Sequence, residues 1–119
     1  MDRHAGVYRT GESMREGLNK VADLKERFKR ISVEDKSRIY NSNLIQTLET
    51  ANMLDLVEVL LMSGLAREES RGAHARRDFS KRDDERFLAH SMGYHTGGKP
   101  RLEYKPVTIT AWKPVERKY

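Results

Sequence analysis

"LIQTLETANMLDLVEVLLMSGLAREE", residues 44–69, decides the fold. Its apolar positions are Leu44, Ile45, Leu48, Ala51, Met53, Leu54, Leu56, Val57, Val59, Leu60, Leu61, Met62 and Leu65. On a helical wheel at ~100° per residue they fall on every side. Between Leu56 and Met62 only Glu58 is polar. A helix that is apolar all round is a buried helix. The stretch therefore predicts a long helix that belongs to a larger buried assembly.

The upstream sequence supplies one cover for it. Met14, Leu18, Val21, Leu24, Phe28 and Ile31 recur at steps of three and four, which draws one apolar stripe on a helix over about residues 11–30. Thr10 or Ser13 can cap this helix, and Ser13 with Glu16 has the spacing of a capping box. Its polar face carries Glu16–Lys20, Asp23–Arg27 and Glu26–Arg30, each with the acid four residues before the base, the favoured order. In the linker that follows, Asn41, Ser42 and Asn43 can cap the second helix. One stripe shields only one side of residues 44–69, so a further covering element is expected. Without it, the isolated chain is expected to self-associate through the exposed apolar surface.

Beyond Gly72 the helical signal weakens, and residues 79–85 read as a charged loop or short turn. Two extended runs follow, about residues 87–95 and 101–111, around the turn signal Gly97–Gly98. Pro106 and Pro114 suit a sheet edge or a strand end, and the tail "KPVERKY" reads as extended and exposed. The expected fold is mainly α: an up-and-down helical bundle of spectrin-repeat type, its first helix truncated, with a C-terminal β-hairpin and extended tail. It forms a single domain over 1–119, helical over 1–72, with the charged loop, hairpin and tail over 73–119.

A chain of 119 residues makes one domain. It contains no cysteine, which excludes disulfides, thiol nucleophiles and cysteine zinc sites. No apolar run approaches the ~20 residues of a bilayer-spanning helix. The start "MDRHAGVYRT" lacks the apolar stretch of a signal peptide. A soluble, intracellular protein is the expectation.

"REESRGAHARRDFSKRDDERF", residues 67–87, contains the richest candidate chemistry. Ser70, His74 and Asp78 lie four apart, but neither an oxyanion-hole feature nor a nucleophile elbow accompanies them. His90 and His95 are five apart, and no H-E-x-x-H pattern supports a metal site. No glycine-rich nucleotide fingerprint occurs. The net charge of +5 suggests an anionic partner, yet this stretch holds seven bases and six acids. Nucleic-acid binding needs unopposed cations. Arg71, Arg76, Arg82 and Arg86 are instead expected to meet Glu68, Glu69, Asp78, Asp83 and Asp84, because Arg suits locked bidentate pairs. Such a seam beside an apolar helix suits a contact between domains or subunits.

"NSNLIQTLETANMLDL" (41–56), residues 67–94 and "RLEYKPVTI" (101–109) resemble the C-terminal helical domain of the succinate dehydrogenase and fumarate reductase flavoprotein subunit. "DRHAGVYRTGESM" (2–14) is similar to the region just upstream. S-R-G-A-H-x-R followed by R-D-D is the most specific piece. A related S-R-G-x-H segment occurs in L-aspartate oxidase, but "HAR", "RDD" and "L-x-Y-x-P-V" favour the first family. The resemblance implies a helical bundle docked on an FAD-binding domain, in a parent that interconverts succinate and fumarate and exchanges electrons with an iron–sulfur subunit. It implies a cytoplasmic complex on the inner face of the plasma membrane. The family's dinucleotide fingerprint, FAD-linking histidine and dicarboxylate-binding residues lie in earlier domains, and none of those motifs occurs here. No catalytic, cofactor-binding or metal residue is carried over, and the chain itself is expected to bind no FAD. Ser70, Arg71, Gly72, His74 and Arg76 are carried over as domain-junction residues. The family's bundle has a helix before "GVYRT", of which Met1–Tyr8 would be the remnant, so a fragment or expressed domain is expected. The rival class is a stand-alone helical interaction module, with nucleic-acid binding behind it.

Overall fold

The computed structural model describes residues 1–115. Its elements in chain order are α1 (Asp2–Ala5), β1 (Tyr8–Arg9), α2 (Gly11–Phe28), α3 (Ser42–Ala66), β2 (Ala75–Arg76), α4 (Asp84–Phe87), β3 (Ala89–Tyr94) and β4 (Arg101–Pro106). The fold is mainly helical with a small C-terminal antiparallel hairpin, as the sequence predicts.

Thr10 starts α2, its Oγ1 accepting from the Ser13 N–H at 3.2 Å. Ser13 does not cap: its hydroxyl donates to the His4 and Thr10 carbonyls. The His4 ring closes the same corner, with Nδ1 2.9 Å from the Ser13 carbonyl oxygen and Nε2 3.0 Å from Lys20 Nζ. Of the expected ion pairs along α2, Asp23–Arg27 forms at 3.9 Å. Glu26 pairs with Lys29 and Glu16 faces His4.

Asn41 caps α3, Oδ1 accepting from the Leu44 N–H at 2.8 Å. The two long helices run antiparallel. Met14 meets Gly64, Gly17 meets Leu61, and Lys25 bonds Asp55 and Glu58 further along. Met14, Val21 and Leu61 form the buried core, with Ala5, Leu18, Val57 and Leu65 against it. Glycine permits this close approach. A Cβ on Gly17 would lie 2.9 Å from His4 Cβ and 3.2 Å from Leu61 Cδ1, and one on Gly64 would lie 3.1 Å from Met14 Sδ.

Within the chain α3 is covered on one side only, as the single α2 stripe implies, and apolar residues in both of its halves face outward. Leu44, Ile45, Leu48, Met53 and Leu60 are exposed, and Leu56 is 70% exposed. The helix also stops at Ala66 rather than Glu69. Ile31 and Leu24 at the far end of the α2 stripe are exposed too.

The hairpin provides a partial lid. β3 and β4 pair antiparallel, from Ala89↔Pro106 to Tyr94↔Arg101. The expected strand over 107–111 is absent: past Pro106 only the Val107 N–H reaches back, to the Leu88 carbonyl. On the other side of the ladder β3 is preceded by the one-turn α4 rather than by more strand, so the pairing has nothing to continue on. Of the tail, residues 113–115 are irregular and exposed, and the rest lies outside the described residues. Gly93 sits on α3, where a Cβ would come within 2.5 Å of Val59 Cγ1. Gly93→Ala should therefore lower the thermal midpoint by overpacking, at about 1–3 kcal/mol. Adding Val59→Ala should cost less than the sum of the two single changes, which a double-mutant cycle of urea melts measures.

Candidate functional site

The loop that leaves α3 folds back across both helix ends. Arg76 is 3% exposed. Its Nε and Nη2 donate to both oxygens of Asp78, each at 2.7 Å. Its Nη1 donates to the carbonyls of Gly64, Leu65 and Arg67 at 3.0, 3.2 and 3.2 Å. These are terminal α3 carbonyls that no helical N–H can reach, and a cation there also opposes the helix dipole. Asp78 in turn accepts the Gly11 N–H at 2.8 Å, at the start of α2. The pair thus places its cation at one helix C-terminus and its anion at the neighbouring N-terminus. The Arg76 bonds, outweighing partial burial, hold the Asp78 carboxyl far below the usual carboxylate range. Phe79 completes the site, with the Arg76 guanidinium 4.8 Å from its ring centre.

A second buried charge organises the rest of the loop. Glu69 is completely buried. Its Oε1 accepts from Arg67 Nε and Arg71 Nε, both at 2.8 Å, and its Oε2 from Arg71 Nη2 at 3.0 Å and the Asp83 N–H at 2.9 Å. Burial favours its neutral form, but these donors outweigh it and hold the carboxyl below its ordinary value. Arg71 reaches on to Asp84 at 2.6 Å. Arg82 also meets Asp84, and Arg86 bridges Asp83 and Glu68. Every arginine and every acid of the predicted seam is thereby paired.

Arg67 is the member that sequence reasoning missed. Besides Glu69 it donates to Ser91 Oγ, to the Ala89 carbonyl and to the Phe87 carbonyl, so it ties the helix end to the hairpin. Its only signal was its place directly before the two glutamates.

Ser70, His74 and Asp78 do not assemble. The Ser70 hydroxyl donates toward the Phe79 and Arg76 carbonyls and accepts the Arg76 N–H. His74 accepts from Arg9 at Nδ1, 3.3 Å away, so its hydrogen resides on Nε2 and is donated to the Arg67 carbonyl at 3.1 Å. Asp78 belongs to Arg76. Burial first, then the nearby Arg9, Arg76 and Arg67, push the His74 pKa down against the bond to Arg67. Gly72 has φ +57 with nothing near its Cβ position, so the turn needs a residue that tolerates left-handed backbone. Of the five residues expected at a domain junction, Ser70, His74 and Arg76 therefore spend their polar groups inside the chain, and Gly72 forms the exposed tip. Among the described residues no group of three or more His, Asp or Glu could hold a metal ion. No helix there is long and apolar enough to cross a membrane.

A helical pair whose ends and exit loop are locked by buried arginine–carboxylate pairs, with a β-hairpin laid on its second helix, is the class this geometry defines. The model described as "Fumarate reductase flavoprotein C-term" matches residues 1–119. The chain belongs to that family, the C-terminal domain of fumarate reductase and succinate dehydrogenase flavoprotein subunits. It is 42% identical to the fumarate reductase flavoprotein subunit of Haemophilus influenzae over 100% of this chain and 20% of that protein. To the succinate dehydrogenase flavoprotein subunit of Rickettsia bellii it is 45% identical over 92% of this chain and 19% of that one. A solved Escherichia coli quinol fumarate reductase chain superposes with a TM-score of 0.92 at 40% identity, over 98% of this chain and 20% of that chain. The chain thus spans about a fifth of the length of the relatives it matches.

Arg76→Ala should cost about 3–5 kcal/mol in chemical denaturation, since it strands Asp78 and three helix-end carbonyls. Arg86→Ala, at an exposed site, should leave the denaturation midpoint nearly unchanged. Glu69, Asp78 and His74 all have depressed folded pKa values, so their stabilisation is present above the unfolded values and lost as pH falls. Stability should decline from about pH 6.5, where His74 of the unfolded chain takes up a proton that the folded chain resists, then more steeply below about pH 4, where the carboxylates do the same. His74→Gln should flatten the first step in pH-dependent melts and leave the second.

Proposed function

We propose that this chain is the docking domain of a flavoprotein that interconverts succinate and fumarate with FAD and exchanges electrons with an iron–sulfur subunit. The domain comprises residues 1–119, a helical part over 1–72 and the loop, hairpin and tail over 73–119. Its role is structural: it supplies a rigid surface on the FAD-binding domain and no reacting group. The observation that supports this most is the apolar face of α3, where Leu44, Ile45, Leu48, Met53, Leu56 and Leu60 stand exposed. So many large apolar side chains left in water along one helix point to an interaction site. Ser70, Arg71, Gly72, His74 and Arg76 lie at the junction and act by shaping the loop that faces the neighbouring domain. The parent complex would lie on the cytoplasmic face of the plasma membrane, with this chain outside the bilayer.

The chain's own chemistry fits that division of labour. The arginines and acids of the seam neutralise one another, so Arg71, Arg76 and Arg86 are already committed to carboxylates of the chain itself.

Titrating the purified chain with FAD, followed by flavin fluorescence, should give no stoichiometric complex. Micromolar binding would overturn the docking reading. In the full-length parent, Arg71→Ala removes two of the four hydrogen bonds of the buried Glu69. It should lower the thermal midpoint and FAD retention while leaving KM for the dicarboxylate unchanged. A KM defect with normal stability would assign Arg71 to the substrate site instead.

A further inference from the structure

β3 and β4 form a two-stranded ribbon with two outer edges, and the two edges differ. The Val107 N–H bonds the Leu88 carbonyl, which fixes the parity of the ladder. His90↔Lys105, Met92↔Glu103 and Tyr94↔Arg101 are then the hydrogen-bonded pairs. Ala89, Ser91 and Gly93 turn their peptide groups outward from β3, and Leu102, Tyr104 and Pro106 turn theirs outward from β4. The β3 edge is occupied: Arg67 bonds the carbonyls of Phe87 and Ala89 and the Ser91 hydroxyl, and Gly93 lies against Val59 of α3. The β4 edge has no such cover among the described residues. Arg101, Glu103, Tyr104, Lys105 and Pro106 are exposed. Residues 107–115 do not return along this edge, since the Val115 carbonyl is held by Arg82. A lone two-stranded ribbon is marginal in water, and an open edge recruits another strand.

We propose that the free edge of β4 pairs antiparallel with the same edge of a second copy of this chain, centred on Tyr104. In that register the Tyr104 peptide groups of the two copies bond each other. Each Leu102 N–H donates to the Pro106 carbonyl of the other copy. Pro106 has no N–H, so it terminates the ladder. The side chains select this register. It sets Glu103 opposite Lys105 at non-hydrogen-bonded positions, where cross-strand side chains approach most closely. Lys105 forms no ion pair within the described chain, and Glu103 has only Arg101 of its own strand. A register shifted to centre on Glu103 would oppose Glu103 to Glu103 and Arg101 to Lys105, and like charges face to face are destabilising. The inner face remains as it is, because Tyr104 stacks edge-on to Phe87 with centroids 5.8 Å apart.

A charge swap tests this, in a Leu56→Glu background that silences association through α3. Sedimentation equilibrium at chain concentrations on the order of hundreds of micromolar should show a reversible dimer, as a small edge contact would give. Glu103→Lys alone and Lys105→Glu alone should each weaken it about tenfold, because two symmetry-related opposite-charge pairs become like-charge pairs. Combining both changes in one chain should restore the dimer. So should mixing the two single variants, which places Lys opposite Glu at every pair and excludes simple unfolding as the cause. A monomer at all concentrations, or a dimer indifferent to the swaps, would overturn the proposal. Neither result would bear on the docking role of α3.

Discussion

The Arg76–Asp78 pair is the constraint on which the rest of the structure depends. Two antiparallel helices bring a C-terminus and an N-terminus side by side, and each end leaves backbone groups without partners. Arg76 fills the Gly64 and Leu65 carbonyls of α3 and that of its cap residue Arg67, and Asp78 takes the first N–H of α2. One bidentate pair therefore joins the helices end to end, with each charge against the helix pole of opposite sign. The short parallel bridge Tyr8↔Ala75 and Arg9↔Arg76 then fastens the N-terminal segment to the same loop.

Glu69 carries the constraint onward. A fully buried carboxylate is costly unless its oxygens are saturated, and here four donors converge on it. Three come from the arginines either side of it in sequence, one from Arg67 and two from Arg71, and one from the Asp83 backbone. That last bond draws residues 83–87 toward the end of α3. Asp83 then caps α4 through the N–H groups of Glu85 and Arg86, and α4 delivers the chain into β3. The position of the hairpin on α3 thus follows from satisfying one buried charge.

Much of this was legible in the sequence, and the misreadings share a cause. The α2 stripe could be read because an amphipathic helix writes its buried face into its spacing. The start of α3 could be read because Asn41 caps locally. Its end could not. Arg67, Glu68 and Glu69 are good helix formers, and the stop is imposed by Arg76 and His74, which take carbonyls near Ala66 from several residues downstream. The charge seam was predictable in membership, because acids and bases nearly balance. Its depth was not, since burial of Glu69 needs Arg67 and Arg71 to converge in space. Residues 107–111 alternate as a strand would, but alternation does not reveal whether a partner strand exists. The all-round apolar character of α3 was real; what covers it is a property of neighbours, and periodicity is silent about those.

Internal neutralisation of the seam has a kinetic consequence. Residues 67–87 contribute only one of the five net positive charges, and most of their ionic groups face each other at contact distance. A surface built this way projects little Coulomb field past the ~8 Å screening length of physiological salt. Diffusional encounter with a partner across it gains little electrostatic steering. Its association rate then follows shape and apolar contact, and it should vary little between dilute buffer and concentrated salt.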